Sequence, residues 1–587
     1  MKLVLSQYLR TLRERNEFDR LLPELITEMG YVPLVKPKAG IRQYGVDFPA
    51  AGKSAQDGVD ELLLFVIKQG DITRRVWSGD TDRVRESLEE VVDVYLDSHV
   101  PPAYRSFRKV IILATTGDLA QDAQLNWASF ADKHPEAVFR FWGADQVAEL
   151  LETHLLNEHL FDPSDRSDLR KSLALAGDGD YRFQDFCRLL LRQLGLADDG
   201  SLSEAGSAQD RKALVKALRR VHLAAMVCAY WADAEGDRRQ ALWVMERTML
   251  WAFHRARLQR LEQRDDVLDA LADIWYSYGE VGNRYYERIL EHIHVKDGLS
   301  GYSQEGAEYS VTLFEQVGLL ASLGMGQIAV EPDDGAKAQM AENAQVIAEA
   351  LAALLSNHPA TGSPRLDHQV IDICLGLALF QFTGQDAAAK LWLSHLAGRL
   401  NFVFIKGRLF PVGTDSLDDL VELDAGGADH EFKALLKQTS WLLATIASWC
   451  AVLGLDDVYR NLADGHNRHY PEVGAQIWHP SEDWSKDWYF GPAHFEGGAS
   501  EAPYPLPAEA KELRARIEEF NAIGRLKWEE NSPALAVGLW AIDFVACRHF
   551  RTPVPASIWY HIQPRTETPN PPHAGDRQAT LSEGGTS

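Results

Sequence analysis

The chain has 587 residues, five of them Cys, and a formal net charge of −25. That length is too great for one hydrophobic core and predicts roughly two to four domains. So acidic a chain excludes a protein coated in nucleic-acid-binding cations, because phosphate contacts need clustered Lys and Arg, but it leaves room for a small basic cleft.

Hydrophobic content of 46% and charged content of 25% are ordinary for a soluble globular protein. Cys187, Cys228, Cys374, Cys450 and Cys547 lie far apart with no CxxC pair. They imply neither a zinc framework nor a disulfide scaffold and fit a reducing, cytoplasmic setting. The opening MKLVLSQYLRTLRERNEF lacks an apolar core long enough for a signal peptide.

The first helix expected with clear periodicity carries Phe18, Leu21, Leu22, Leu25, Ile26 and Met29, with Gly30 as its stop. Residues 31–35 read as a short strand, a turn-prone stretch surrounds Pro37 and Gly40, and Gly45 to Phe48 begins a second extended piece. Residues 61–69 form an apolar strand with Lys68 near its end. Helix is predicted over 83–96, strand over 109–115, helix over 126–133, strand over 138–142 and helix over 145–156. An αβββαβαβα order implies an α/β domain over 1–162, one mixed sheet with helices on its faces.

From about residue 163 to 563 the pattern is mainly α-helical. Segments are expected at 183–194, 211–232, 241–260, 265–278, 339–355, 367–382, 431–453, 508–523 and 532–550. Residues 460–507 read as irregular, and the polar, Pro/Gly-rich residues 564–587 as a disordered tail. The apolar run 441–455 is too short to span a bilayer and reads as a buried helix, so no membrane partner is expected.

The chemistry concentrates near the N-terminus. Phosphodiester hydrolysis needs a divalent cation, carboxylates hold such a hard ion, and a nearby lysine can stabilise developing charge. Asp47, after the turn Gly45-Val46, and Lys68 suit these roles if their strands are neighbours. Taken singly, each has a plain structural reading: a turn acid, a lysine snorkelling at a strand end, and ordinary first-turn helix acids in Glu17 and Asp19. Their joint order within an α/β pattern favours a site.

The stretch Phe18-Asp19-Arg20-Leu21-Leu22 through Gly30-Tyr31, the Gly45-Val46-Asp47 turn and the Phe65-Val66-Ile67-Lys68 strand together resemble Mrr-like restriction endonucleases of the PD-(D/E)XK superfamily. The resemblance covers about residues 17–155. It implies a restriction-endonuclease-like fold and Mg²⁺- or Mn²⁺-dependent cleavage of nucleic acid, DNA before RNA. Asp47 and Asp19 would hold the metal, with Glu17 a substitute for Asp19, and Lys68 would stabilise charge. It further implies a bacterial restriction or antiphage-defence setting. There the helical region would sense or assemble with a protein partner, an ATPase among the candidates, or self-associate.

One position departs from that pattern: Val66 stands where the family places Glu or Gln. Three accounts are open: a ligand displaced to Glu61, Asp60 or Gln69; a metal held by Asp47 and Asp19 with water and phosphate; or a degenerate domain kept as a non-catalytic scaffold or sensor. Arg74 and Arg75, just beyond the lysine strand, are candidates for backbone contacts to nucleic acid.

Other signals are weaker. Gly52-Lys53-Ser54 lacks the earlier glycine of a phosphate-binding loop, since Asp47 stands there. Arg460-Asn461 with His466 resembles the motif of HEPN-type ribonucleases and supplies an alternative, metal-free RNase site, although Gly465 is expected to break the helix beside His466. His292 and His294, two apart on a helix, do not share a face for zinc.

Overall fold

The structure is a computed structural model. It describes residues 2–14, 18–34, 44–79, 84–154, 163–178, 181–302, 306–329, 334–405, 413–414, 416–426, 431, 438–478, 488–491, 505–521, 528 and 532–561. Glu17, the turn around Pro37 and Gly40, and the tail 564–587 lie outside these residues.

The first part alternates helix and strand: α1 (Lys2–Leu9), α2 (Asp19–Glu28), β1 (Val32–Pro33), β2 (Phe48–Lys53), β3 (Asp60–Lys68), α3 (Arg74–Ser78), α4 (Val84–Glu90), β4 (Arg108–Thr115), α5 (Gln121–Lys133), β5 (Val138–Trp142) and α6 (Ala144–His154). The strands form one mixed sheet in the order β1-β2-β3-β4-β5. The first two pairings are antiparallel and the last two parallel. The mixed sheet expected from the sequence is therefore present.

Alternation along β3 explains its apolar run. Leu62, Leu64 and Val66 face one side, where they join Trp77, Val84, Leu88, Ile111, Leu113 and Phe130 in a core beneath α3, α4 and α5. On the other side Phe65 stacks on Phe48 at 4.4 Å and meets the edge of Trp142. A strand buried on both faces is apolar along its middle, Leu62 to Ile67, and its charged residues Asp60, Glu61 and Lys68 stand at its ends. Past Glu90 the α4 helix continues in π-helical turns, Val91–His99, which carries it beyond the end expected at residue 96.

Beyond residue 162 the chain is mainly helical, with α7 (Pro163–Ala174), α8 (Gln184–Leu194), α9 (Glu204–Ala208), α10 (Arg211–Ala234), α11 (Arg238–Leu258) and α12 (Asp265–Ile293), then further helices through Ala556–His561. The chain divides into two compact units: residues 1–197, 203–248 and 269–277, and residues 198–202, 249–268 and 278–587. The first unit thus reaches past the boundary expected at residue 162. Within it, polar contacts tie α2 to the helices. Arg20 lies 3.8 Å above the Tyr276 ring, Glu24 is 3.7 Å from His222, and Glu28 is 3.4 Å from Lys216.

Several helices differ from the sequence pattern for local reasons. The stretch 431–453 is interrupted by a two-residue strand, Thr439–Ser440, and its helix begins at Trp441. The buried Asp367 carboxylate sets that start, accepting from Ser440 Oγ (2.5 Å), Trp441 N (2.8 Å) and Leu442 N (3.2 Å). It satisfies donors that a helix N-terminus leaves open. Burial nevertheless pushes the Asp367 carboxyl up to about 6. Asp367→Ala should lower the stability of the second unit by about 2 kcal/mol or more, read as a urea midpoint shift.

The stretch 532–550 is likewise two helices, Pro533–Ala536 and Ala541–His549, parted at Gly538 with φ +80°. Helix 265–278 instead runs on to Ile293. Residues 460–469, expected to be irregular, belong to the helix Asp456–His469, which passes through Gly465. Packing explains why a helix breaker is kept there. A Cβ on Gly465 would come within 2.2 Å of Asn401 Oδ1, so only glycine lets Asn401 lie against the helix.

Candidate active site

Asp47 follows a turn made by Tyr44 (φ +52°) and Gly45 (φ +77°). Its backbone N–H donates to Phe65 O at 2.8 Å, and its Oδ2 accepts from Ile67 N at 2.6 Å. The β2–β3 register ends with Phe48 opposite Phe65, and Asp47 stands just before that last pair. Lys68 closes β3 three residues past Phe65. The structure therefore brings Asp47 and Lys68 to the same end of the β2–β3 pair.

The electrostatics extend this set. The Asp47 carboxyl is pushed up to about 6, first by burial and then by the negative charges of Glu14 and Asp19. The Ile67 N–H and the Lys68 ammonium act in the opposite sense. Asp19 opens α2 and is half-buried. Glu14 was not singled out in the sequence. It sits in the charged run Arg13-Glu14-Arg15, where nothing in the pattern separates it from a solvated acid.

Val66 is 1% exposed within the core cluster. Its side chain fills apolar space in place of a ligand. Glu61 does not replace it. Glu61 is wholly buried, with Oε2 accepting from Tyr31 OH at 2.7 Å and Oε1 from Arg108 Nη2 at 2.5 Å and Arg140 Nη2 at 2.8 Å. It lies seven residues along β3 from Lys68, roughly 23 Å at strand rise. Asp60 begins the same strand at the far end, exposed.

Among the described residues no group of three His, Cys, Asp or Glu side chains is arranged to hold a metal ion. Mg²⁺ is commonly bound by one or two carboxylates, with waters and phosphate oxygens completing its octahedron. Asp47 and Asp19 are two carboxylates of that type, and the Asp19 charge reaches the Asp47 carboxyl, whose rise is due first to burial.

Arg74 and Arg75 are exposed at the start of α3, where Thr73 Oγ1 caps the helix by accepting from Val76 N. Gly52 lies inside β2 opposite Glu61 rather than in a phosphate loop. A Cβ there would stand 2.7 Å from the Tyr31 ring, so glycine lets Tyr31 cross the strand towards Glu61. The helix Asp456–His469 separates Arg460 and His466 by six residues, about 120° around its axis. Arg460 pairs with Asp457 at 2.9 Å, whereas His466 is buried with Nε2 on Val473 O at 2.7 Å. The geometry does not bring these two together. His292, in the last turn of α12, is 3.6 Å from Glu291, and His294 follows the helix end.

A groove of about 550 Å³ lined by Leu96, Phe107, Lys109, Glu136 and Val138 opens at the Arg108 end of β4, remote from Asp47. Among the described residues no helix is long and apolar enough to cross a membrane. No protein-family model matches the sequence, and no curated protein or solved structure matches it.

Proposed function

We propose that the first unit carries a metal-dependent nuclease site that hydrolyses phosphodiester bonds, with DNA as its substrate. The observation that carries this reading is the placement of Asp47: bound to the Ile67 N–H, at the Lys68 end of β3, within the field of Glu14 and Asp19. Asp47 and Asp19 would hold Mg²⁺ or Mn²⁺, which would supply an activated water and neutralise phosphate charge. Lys68 would stabilise charge developing on the phosphate. Arg74 and Arg75 would meet the nucleic-acid backbone just beyond the lysine strand. The helical region would recruit a protein partner, a role inferred from the resemblance alone.

The test is cleavage of duplex DNA, single-stranded DNA and RNA in Mg²⁺ or Mn²⁺. Asp47→Ala and Lys68→Ala should each lower the rate by about a hundredfold or more. Cleavage that survives both substitutions would rule out the site.

A second reading is a non-catalytic scaffold built on a nuclease-like fold. Burial of Val66 in the core favours it, since that position offers the metal nothing. Absence of cleavage on every substrate, while the protein still binds one of them, would support this reading.

A further inference from the structure

Two unusual backbone features converge on the turn that carries Asp47. Tyr44 has φ +52°, a left-handed conformation that a bulky side chain rarely adopts. Its ring stacks on His99 at 4.0 Å with 17° between the planes. His99 in turn ends the nine-residue π-helical stretch Val91–His99, a rare conformation whose wider turn alters the face presented by its last residues. Tyr95 of the same stretch lies 6.2 Å from His99.

The next residue is fixed just as closely. A Cβ on Gly45 would stand 2.2 Å from Ser87 O and 3.0 Å from Val91 Cγ2, so the turn lies directly on the helix that leads to His99. Val46 is buried in the core, and Asp47 then makes its two hydrogen bonds to β3. Residues 44–47 are thus held by a ring stack at one end and by the sheet at the other.

We infer that Tyr44 and His99 form a clasp that positions the Asp47 carboxylate, His99 acting as a positioning residue from the π-helical end of the α4 segment. The inference deepens the nuclease reading by naming what holds its principal carboxylate in place. The strained Tyr44 conformation would not persist without a neighbour that fixes it, and the His99 ring is the aromatic group that lies parallel to it. Unstacking frees the turn at its outer end. The Asp47 side chain then loses its hold on Ile67 N while the interior of β3 stays in place.

Hydrogen exchange of the full chain, resolved to single amides, tests this. His99→Ala should speed exchange of the Ile67 amide about tenfold and leave the amides of Leu62 to Leu64 unchanged, whereas His99→Phe should retain the stack and the protection. Unchanged Ile67 exchange in His99→Ala would overturn the clasp. So would faster exchange throughout β3, which would mark His99 as a general packing residue. In cleavage assays His99→Ala should lower kcat with KM unchanged, and His99→Phe should restore it. The exchange measurement decides the clasp whether or not the wild-type protein cuts nucleic acid, so the two readings fail separately.

Discussion

Asp47→Asn should make the protein more stable above pH 6 and, on the proposed function, abolish cleavage. A carboxyl whose pKa rises on folding contributes stability that is fully present below its unfolded value, near 3.8, and is lost as the pH climbs through about 6. Above pH 6 the wild-type protein therefore carries an unfavourable charge, withdrawn from water first and to a lesser degree crowded by Glu14 and Asp19. Asparagine keeps an oxygen that can accept from Ile67 N, and it cannot ionise. The full shift corresponds to about 3 kcal/mol, which partial exposure of the carboxyl reduces to about 1–2 kcal/mol. Urea melts at pH 4, 6 and 8 should show a gain for Asp47→Asn that vanishes at pH 4. A variant equally stable at all three values would remove the argument that the site is held under electrostatic strain. Loss of cleavage alongside gained stability is the behaviour expected of a residue kept for function.

The second large effect should come from Glu61. Its carboxylate is the common acceptor for Tyr31, Arg108 and Arg140, side chains on β4, β5 and the turn after α2. Glu61→Ala strands these donors and should cost about 3–5 kcal/mol, towards the low end because Arg108 also pairs with Asp57 at 2.6 Å. Burial alone would raise the Glu61 carboxyl, but hydrogen bonds from Tyr31, Arg108 and Arg140 hold it below the usual glutamate range. The sign is opposite to that of Asp47. Stability from Glu61 is present above the unfolded carboxyl pKa and is lost as the pH falls through the folded one. Glu61→Gln should therefore flatten the acid limb of the stability profile and leave the metal dependence of cleavage unchanged. A variant that stays fully stable but no longer cuts would instead make Glu61 a ligand, against its placement.

The strands of the sheet were legible because burial on both faces demands continuous apolar runs, as in residues 61–69 and 109–115. The positions of Asp47 and Lys68 at one end of the β2–β3 pair followed from a turn glycine and a lysine at a strand end, both local signals. What escaped the sequence was set by partners far along the chain. The helix at Trp441 starts where it does because Asp367, 73 residues before Ser440, supplies the cap. Gly465 reads as a helix breaker until Asn401 is seen lying against it. Glu14 looks like any surface acid until its charge is found acting on Asp47. Glu61 looked available as a displaced ligand, since its three hydrogen-bonding neighbours are separated from it by 30, 47 and 79 residues.

The edge strand β1 also limits how the protein can be joined to others. Leu34 N turns inward to Pro49 O, so by alternation Pro33 occupies the position whose N–H would point outwards, and proline has none. With two residues and no outward donor, β1 is a poor template for another strand. The opposite edge, β5, offers five residues. Strand addition, whether from a second copy or from an extended peptide, is disfavoured at the described β1 edge.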